Sequence, residues 1–382
     1  MRSLIFVLPS VAVTFICWGI YGPLLHAGQF SVEEGSPPSS LKPFICVGIA
    51  YFLIAVLVPF ALLRSRGEKG HWSMPGTIWS LAAGAAGAIG ALGIILAFKY
   101  KGQPVYVMPL VFGCAPVVNT FVTMLMTRKI KEASWIFYFG VLVVAIGAAG
   151  VMTFKPSGHA EVHEDKQSGA ITVTINGVTV DGIDAADLKA HSVEAYEEYR
   201  KYKAQSALGF GQFMIVTAFI ALTALCWGAY GPVLHKGQMK MAGSRLRPFV
   251  CVGLAYFVIA VLAPLPLFST DLADKPGWDF FSGSVWSLAS GAAGAIGALG
   301  IIYAFNFGGK PIFVMPLVFG CAPVVNTFTT IITEGLFGMI SSYFYLSLLL
   351  VVCGAITVLV FAPKSPPPKP AENAGQKDLS KS

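Results

Sequence analysis

Long apolar segments alternate with short polar ones along almost the whole chain. A helix needs about 20 mostly apolar residues to cross a bilayer, and ten segments meet this requirement. They lie at residues 4–26, 43–64, 77–99, 103–126, 134–154, 210–234, 248–269, 284–305, 310–333 and 341–362. Because a helix satisfies its own backbone hydrogen bonds in lipid, the pattern predicts an all-α membrane protein with ten transmembrane helices.

The apolar pattern occurs twice. The stretch at residues 77–126 returns at 284–333 with identical letters at most positions, and CWGIYGPLLHAGQ (17–29) returns as CWGAYGPVLHKGQ (226–238). The chain is therefore a tandem duplication of a five-helix unit. Since five is odd, the second copy must cross the membrane in the direction opposite to the first. This predicts two inverted five-helix repeats, a plan common among secondary transporters.

The duplication predicts the division of the chain. The first five-helix repeat occupies residues 1–154 and the second occupies 210–362, with an unrepeated extracytoplasmic insert at 155–209 between them. The Pro- and Lys-rich tail at 363–382 is predicted to be disordered and cytoplasmic.

The insert has a different pattern from the rest of the chain. Residues 171–180 alternate between apolar and polar types and contain Asn176-Gly177, a strong hairpin signal. Residues 184–204 are rich in charge and predict a helix. Together they predict a small ββα unit.

Charge supports the membrane assignment and orients the helices. The chain is 55% hydrophobic and 12% charged, against about 25% charged residues in soluble domains. Lys and Arg concentrate in alternate short loops, as they do in cytoplasmic loops. This predicts a multi-pass protein of the cell (cytoplasmic/inner) membrane with both termini in the cytoplasm. The net charge of +7 follows from these loops and requires no nucleic-acid partner.

Polar side chains recur on one face of the fourth and ninth predicted spans. Positions three, four and seven apart share a helical face. Two explanations stay open: an interhelical hydrogen bond worth about 1 kcal/mol, or contact with a substrate. The residues are Asn119 and Thr123 in the fourth span and Asn326 and Thr330 in the ninth.

Aromatic side chains recur in the first and sixth predicted spans. Trp18 and Trp227 lie about two turns inside the membrane, so we expect them to line a cavity together with Tyr21 and Tyr230. His26 and His235 fall at the ends of the same spans. They are either interfacial residues or, because histidine titrates near neutral pH, gate or proton-linked groups.

These motifs resemble the EamA-type transporters of the drug/metabolite transporter superfamily. The resemblance rests on Trp18-Gly19 and Trp227-Gly228, on the histidines in the basic position, and on PLVFGCAPVV, which occurs twice. It covers nearly all of the chain except the insert and the tail. In that family the fourth helix often ends in a glutamate; Glu334 fits this position, whereas its repeat partner is Thr127. The resemblance implies a carrier of small metabolites that works by alternating access.

The sequence therefore predicts a secondary transporter for a small-molecule substrate, embedded in the lipid bilayer. Proton coupling and homodimer formation are compatible with it. The alternative is a membrane-anchored sensor or scaffold that acts through the insert. We find no nucleophile–base pair, metal-ligand spacing or phosphate loop that would indicate an enzyme, and we expect no cofactor or metal.

Overall fold

The computed structural model is almost entirely helical outside the insert. It describes residues 4–33, 36–128, 130–154, 161–165, 170–175, 178–193, 195–196, 199, 209–270, 274–307, 311–335 and 340–361. The predicted Asn176-Gly177 turn and the predicted disordered tail at 363–382 lie outside these residues.

The first repeat contributes six α-helices. One predicted span, residues 43–64, is divided by a π-helical turn at Leu53–Leu57. The helices are α1 (Leu4–Gln29), α2 (Leu41–Phe52), α3 (Val58–Ser65), α4 (Met74–Lys99), α5 (Pro104–Thr127) and α6 (Trp135–Thr153).

The second repeat follows the same order after the insert. A π-helical turn at Phe257–Leu262 again divides its second span, and a 3-10 helix at Leu265–Ser269 completes that span. With α7 assigned to the insert, the helices are α8 (Phe210–Lys240), α9 (Leu246–Tyr256), α10 (Phe280–Asn306), α11 (Pro311–Thr333) and α12 (Ser342–Val360).

The helices are suited to a bilayer. Within the described residues, nine helical segments are long and apolar enough to span a membrane, and Leu317–Thr333 is a shorter apolar stretch in α11, the tenth expected span. Large apolar side chains such as Phe210, Phe280 and Leu346 are more than half exposed on the outside of the bundle. Such a surface is stable in lipid and not in water, so the chain is a multi-pass membrane protein.

The insert differs from the predicted ββα unit by one additional strand. The strands β1 (Glu161–Glu164), β2 (Ile171–Ile175) and β3 (Val178–Gly182) form an antiparallel sheet in the order β1-β2-β3. The predicted helix at 184–204 is interrupted: α7 covers Ala185–His191 and ends at Ser192, whose backbone is extended. The insert has its own small apolar core, built from Val162, Ile171, Val173, Leu188, Ala195 and Tyr199.

Equivalent helices of the two repeats exchange partners. In the first repeat α1 packs most extensively on α10, and in the second α8 packs on α4, the equivalent of α10. The packing of α1 on α11 is matched in this way by the packing of α8 on α5. The packing of α2 on α10 is likewise matched by that of α9 on α4. The membrane region therefore contains two similar groups, α1–α2–α10 and α8–α9–α4, each with helices from both repeats.

A carboxylate secures each of these groups at a helix N-terminus. Asp274 accepts hydrogen bonds from Ser39 Oγ, Ser40 N and Lys42 N, at the start of α2. Glu68 accepts them from Ser244 Oγ and from the backbone at the start of α9. A negative charge at a helix N-terminus satisfies free N–H groups and complements the helix dipole. The two acidic residues thus have the same role in loops that otherwise differ in charge.

Candidate functional site

Two tryptophans are held against glycine-rich helices. Trp18 Nε1 donates a hydrogen bond to Gly294 O at 3.2 Å, and Trp227 Nε1 donates to Gly87 O at the same distance. The glycines permit this approach, since a Cβ built on Gly90 would overlap the indole of Trp227. The hydrogen bonds occupy both indole N–H groups, so the tryptophans offer mainly their ring surfaces to other contacts.

A cavity of about 70 Å³ lies between helices of both repeats. Most of its wall is aromatic, and none of the described residues that line it carries a charge. It contains four pairs of repeat-equivalent residues: Trp18 with Trp227, Tyr21 with Tyr230, Tyr51 with Tyr256, and Gly87 with Gly294. The lining is Trp18, Tyr21, Tyr51, Gly87, Phe112, Trp227, Tyr230, Tyr256, Gly294 and Ala298.

Tyr51 and Tyr256 meet face to face in this wall. Their ring centroids are 3.9 Å apart and the rings are almost parallel, at 2°. Tyr256 is the last residue of α9 and directly precedes a π-helical turn. Tyr51 is the last residue but one of α2 and lies two residues before the other π-helical turn. Such turns concentrate at functional sites because they widen the helix and redirect its side chains.

Tyr21 is the least satisfied polar residue of the cavity wall. Its ring meets Trp227 edge-on at 5.9 Å between centroids. Its backbone carbonyl accepts a hydrogen bond from Ser290 Oγ. Its hydroxyl is buried and has no hydrogen-bond partner among the described residues. A buried polar group without a partner is costly, and such groups are found where a ligand or water completes the bonding.

The asparagines and threonines predicted for substrate contact are not among the lining residues. Asn326 is buried, and its Nδ2 donates to Pro104 O at 2.7 Å, which joins α11 to α5. Thr330 and Thr123 donate to the carbonyls one turn earlier, of Asn326 and Asn119. Asn326 Nδ2 therefore joins two helices, whereas its Oδ1 is buried and has no hydrogen-bond partner among the described residues, so the predicted substrate contact stays a prediction.

Asn119 differs from its repeat partner. Its side chain is partly exposed and has no hydrogen-bond partner among the residues that the structure describes. It lies against α8, since a Cβ built on Gly231 would be 2.7 Å from Asn119 Nδ2. Its amide is therefore available to water or to a solute, and its predicted role stays open.

The two histidines also have different surroundings. His26 Nδ1 lies 3.5 Å from Glu334 Oε1, and both side chains are largely covered. The imidazole stacks on Phe30 at 4.3 Å and meets Phe98 edge-on at 5.4 Å between ring centroids. His235 is exposed and has no such carboxylate among the described residues. Of these two histidines, only His26 faces an acidic side chain among the described residues.

No protein-family model matches the chain, and no curated protein matches it. The resemblance to EamA-type transporters stays a prediction, and the site must be judged by its geometry. Of the predicted residues, the structure brings together Trp18, Tyr21, Trp227 and Tyr230. Sequence reasoning missed Tyr51 and Tyr256, although a tyrosine repeated within the apolar second and seventh spans was a usable signal.

Proposed function

We propose that this protein is a secondary transporter that carries a small metabolite across the membrane by alternating access. The observation that supports this most is the cavity, because repeat-equivalent residues from both halves form its wall. Transporters with internal repeats place their substrate near the middle of the membrane, where the repeats meet. We also propose that the chain belongs with the EamA-type transporters.

The exchange of contacts supports an inverted arrangement of the repeats. When two units are related by a two-fold axis, a contact from the first unit to the second is matched by one in the reverse direction. The bonds Trp18 to Gly294 and Trp227 to Gly87 form such a pair. Thr14 to Gly297 and Thr223 to Gly90 form another, at 3.0 and 3.1 Å.

We infer that the moving bodies are the groups α1–α2–α10 and α8–α9–α4. Each is tied internally by the tryptophan bonds and by one carboxylate at a helix N-terminus. The cavity lies between the two groups, with Tyr51 of one stacked on Tyr256 of the other. Rocking of one group against the other would open the cavity to each side in turn.

Proton coupling is proposed for the contact between His26 and Glu334. Glu334 lies in the turn that follows α11, and partial burial raises its pKa to about 7. It therefore gains or loses a proton near neutral pH while it faces His26. Because the contact joins α1 to α11 at one end of the bundle, its protonation would favour or oppose separation of the helices there.

A thermal-shift screen of hydrophilic metabolites tests the proposed function. A ligand that binds only the folded protein stabilises it by about 2.7 kcal/mol at roughly 100 times its dissociation constant. We expect at least one solute to stabilise the wild type and not Tyr230→Leu, whereas Tyr343→Leu, at an exposed tyrosine, keeps the effect. A well-folded protein that no solute stabilises would contradict the proposal and favour the anchored sensor.

A further inference from the structure

We infer that the cavity selects an organic cation of the quaternary ammonium type. This inference rests on the proposed transport function and concerns the substrate class of the same cavity. The wall contains seven aromatic rings, those of Trp18, Tyr21, Tyr51, Phe112, Trp227, Tyr230 and Tyr256. Among the described lining residues there is no acidic, basic or amide side chain. The chemistry of the wall excludes other classes of solute one by one.

Anions are disfavoured in such a cavity. No Lys, Arg or His lies among the lining residues to neutralise a carboxylate or a phosphate. The faces of aromatic rings carry negative electrostatic potential and repel an anion placed over them. A buried charge without a partner is very costly, so solutes that carry a carboxylate or a phosphate, such as zwitterionic amino acids, organic acids and sugar phosphates, do not fit.

Solutes rich in hydroxyl groups are disfavoured for another reason. The indole N–H groups of Trp18 and Trp227 already donate to backbone carbonyls. The phenol hydroxyls are then the main polar groups that the lining side chains can offer. A sugar or polyol would bury more hydroxyls than the wall can satisfy, and each one left without a partner weakens binding.

Apolar solutes and organic cations remain. A small apolar solute crosses the bilayer unaided and needs no carrier, whereas a permanently charged one cannot enter hydrocarbon. A quaternary ammonium ion has no N–H group to satisfy and is attracted to the faces of Trp and Tyr within about 6 Å of the ring centroid. Both groups of helices supply rings to the wall, and Tyr21 of one group meets Trp227 of the other edge-on at 5.9 Å between centroids. A cation held in the cavity would therefore contact rings of both groups.

The attraction requires both the ring faces of the protein and the positive charge of the solute. An experiment can remove either of the two separately. Choline and its carbon isostere, in which carbon replaces the nitrogen, have the same shape and differ in charge. We expect choline to bind the purified wild-type protein about tenfold more tightly than the isostere, measured by calorimetry and by thermal shift. Tyr230→Phe keeps the ring and should keep this preference, whereas Tyr230→Leu removes the ring and should lose most of it.

A matched control variant shows whether a loss of choline binding comes from the loss of the ring or from general damage to the protein. Trp135 is 75% exposed and is not one of the residues that line the cavity, so Trp135→Leu should bind choline as the wild type does. Equal affinity for choline and the isostere, or binding of neither by folded protein, would overturn the cation assignment. If a neutral or anionic metabolite stabilised the protein instead, the transporter proposal would stand and the cation assignment would fall. If no solute stabilised the protein, both would fall.

Discussion

Asn119 and Asn326 show how identical residues in repeated sequence acquire different roles. Both occupy the same position of the motif APVVNT. Among the described residues, however, only the side-chain amide of Asn326 is bonded to another helix, at Pro104 O. Periodicity predicts that both side chains share a face with Thr123 and Thr330, because that depends on local geometry alone. Periodicity does not predict the hydrogen-bond partner of each asparagine amide, because the partner depends on how α5 and α11 pack.

The two asparagines provide a matched pair of substitutions. Asn326→Leu removes a buried hydrogen bond, and we expect a loss of about 1 kcal/mol in the free energy of unfolding. Asn119→Leu should cost less, since no bond of its side chain is lost among the described residues. Thermal unfolding of the detergent-solubilised variants measures the difference. Equal loss in the two variants would contradict the assigned role of Asn326.

Glu334 provides a prediction for pH. Its pKa is raised to about 7 by partial burial, so its carboxyl is mainly neutral below that pH and mainly ionised above it. We expect the rate of solute exchange in proteoliposomes to change with a midpoint near this value. Glu334→Gln mimics the neutral form and should hold the rate at its low-pH level at every pH.

His235→Gln is the control for this experiment. His235 is the repeat equivalent of His26 but is exposed and lacks a facing acid in the described part of the chain. Its substitution should leave the pH profile unchanged, whereas His26→Gln should alter it. A wild-type pH profile that survives Glu334→Gln unchanged would exclude the proposed proton coupling.

The glycine-rich helices α4 and α10 set the distance between neighbouring helices. Their repeated Gly-Ala-Ala-Gly pattern predicts close helix packing in lipid. The structure adds what the pattern alone does not contain: Gly90 faces Trp227 and Gly297 faces Trp18. The glycines therefore place the rings that form the cavity wall.

Gly90→Ala and Gly297→Ala should each displace one tryptophan. The added methyl would overlap the indole, and overpacking of this kind typically costs about 1–3 kcal/mol. We expect a lower midpoint of thermal unfolding and weaker ligand binding for both variants. Gly211→Ala is the control, because a Cβ there meets open space. Stability and binding as high in Gly90→Ala as in Gly211→Ala would contradict the described packing.

The positions of the apolar helices follow from the sequence, because a run of apolar residues of sufficient length has few alternatives in a membrane. The sequence does not predict the π-helical turns after Tyr51 and Tyr256, because their residues are of the same apolar types as those of an ordinary transmembrane helix. The additional strand β1 was also missed, because its four residues, Glu161–Glu164, lack a clear alternation. Four of the ten lining residues, Trp18, Tyr21, Trp227 and Tyr230, were predicted, because tryptophan deep in an apolar span is unusual and drew attention to the repeated motif around it. Tyr51 and Tyr256 have no such tryptophan beside them.

The insert is expected to be dispensable for transport. Its strands and α7 pack mainly on one another, around Val173 and Leu188, and the cavity lining includes none of its residues. Replacing residues 160–205 with a flexible linker should therefore leave solute exchange unchanged in reconstituted protein. Loss of exchange in a variant that still unfolds cooperatively would instead support the sensor or scaffold.

Solute exchange across a membrane tests the transporter assignment most directly. Purified protein is reconstituted into liposomes that enclose an isotopically labelled metabolite mixture, and mass spectrometry follows each solute as it leaves. We predict that at least one solute exchanges in the wild type and in Trp135→Leu but slows strongly in Tyr230→Leu. If no solute leaves faster than from protein-free liposomes, although the protein is folded and inserted, the account of a carrier is contradicted.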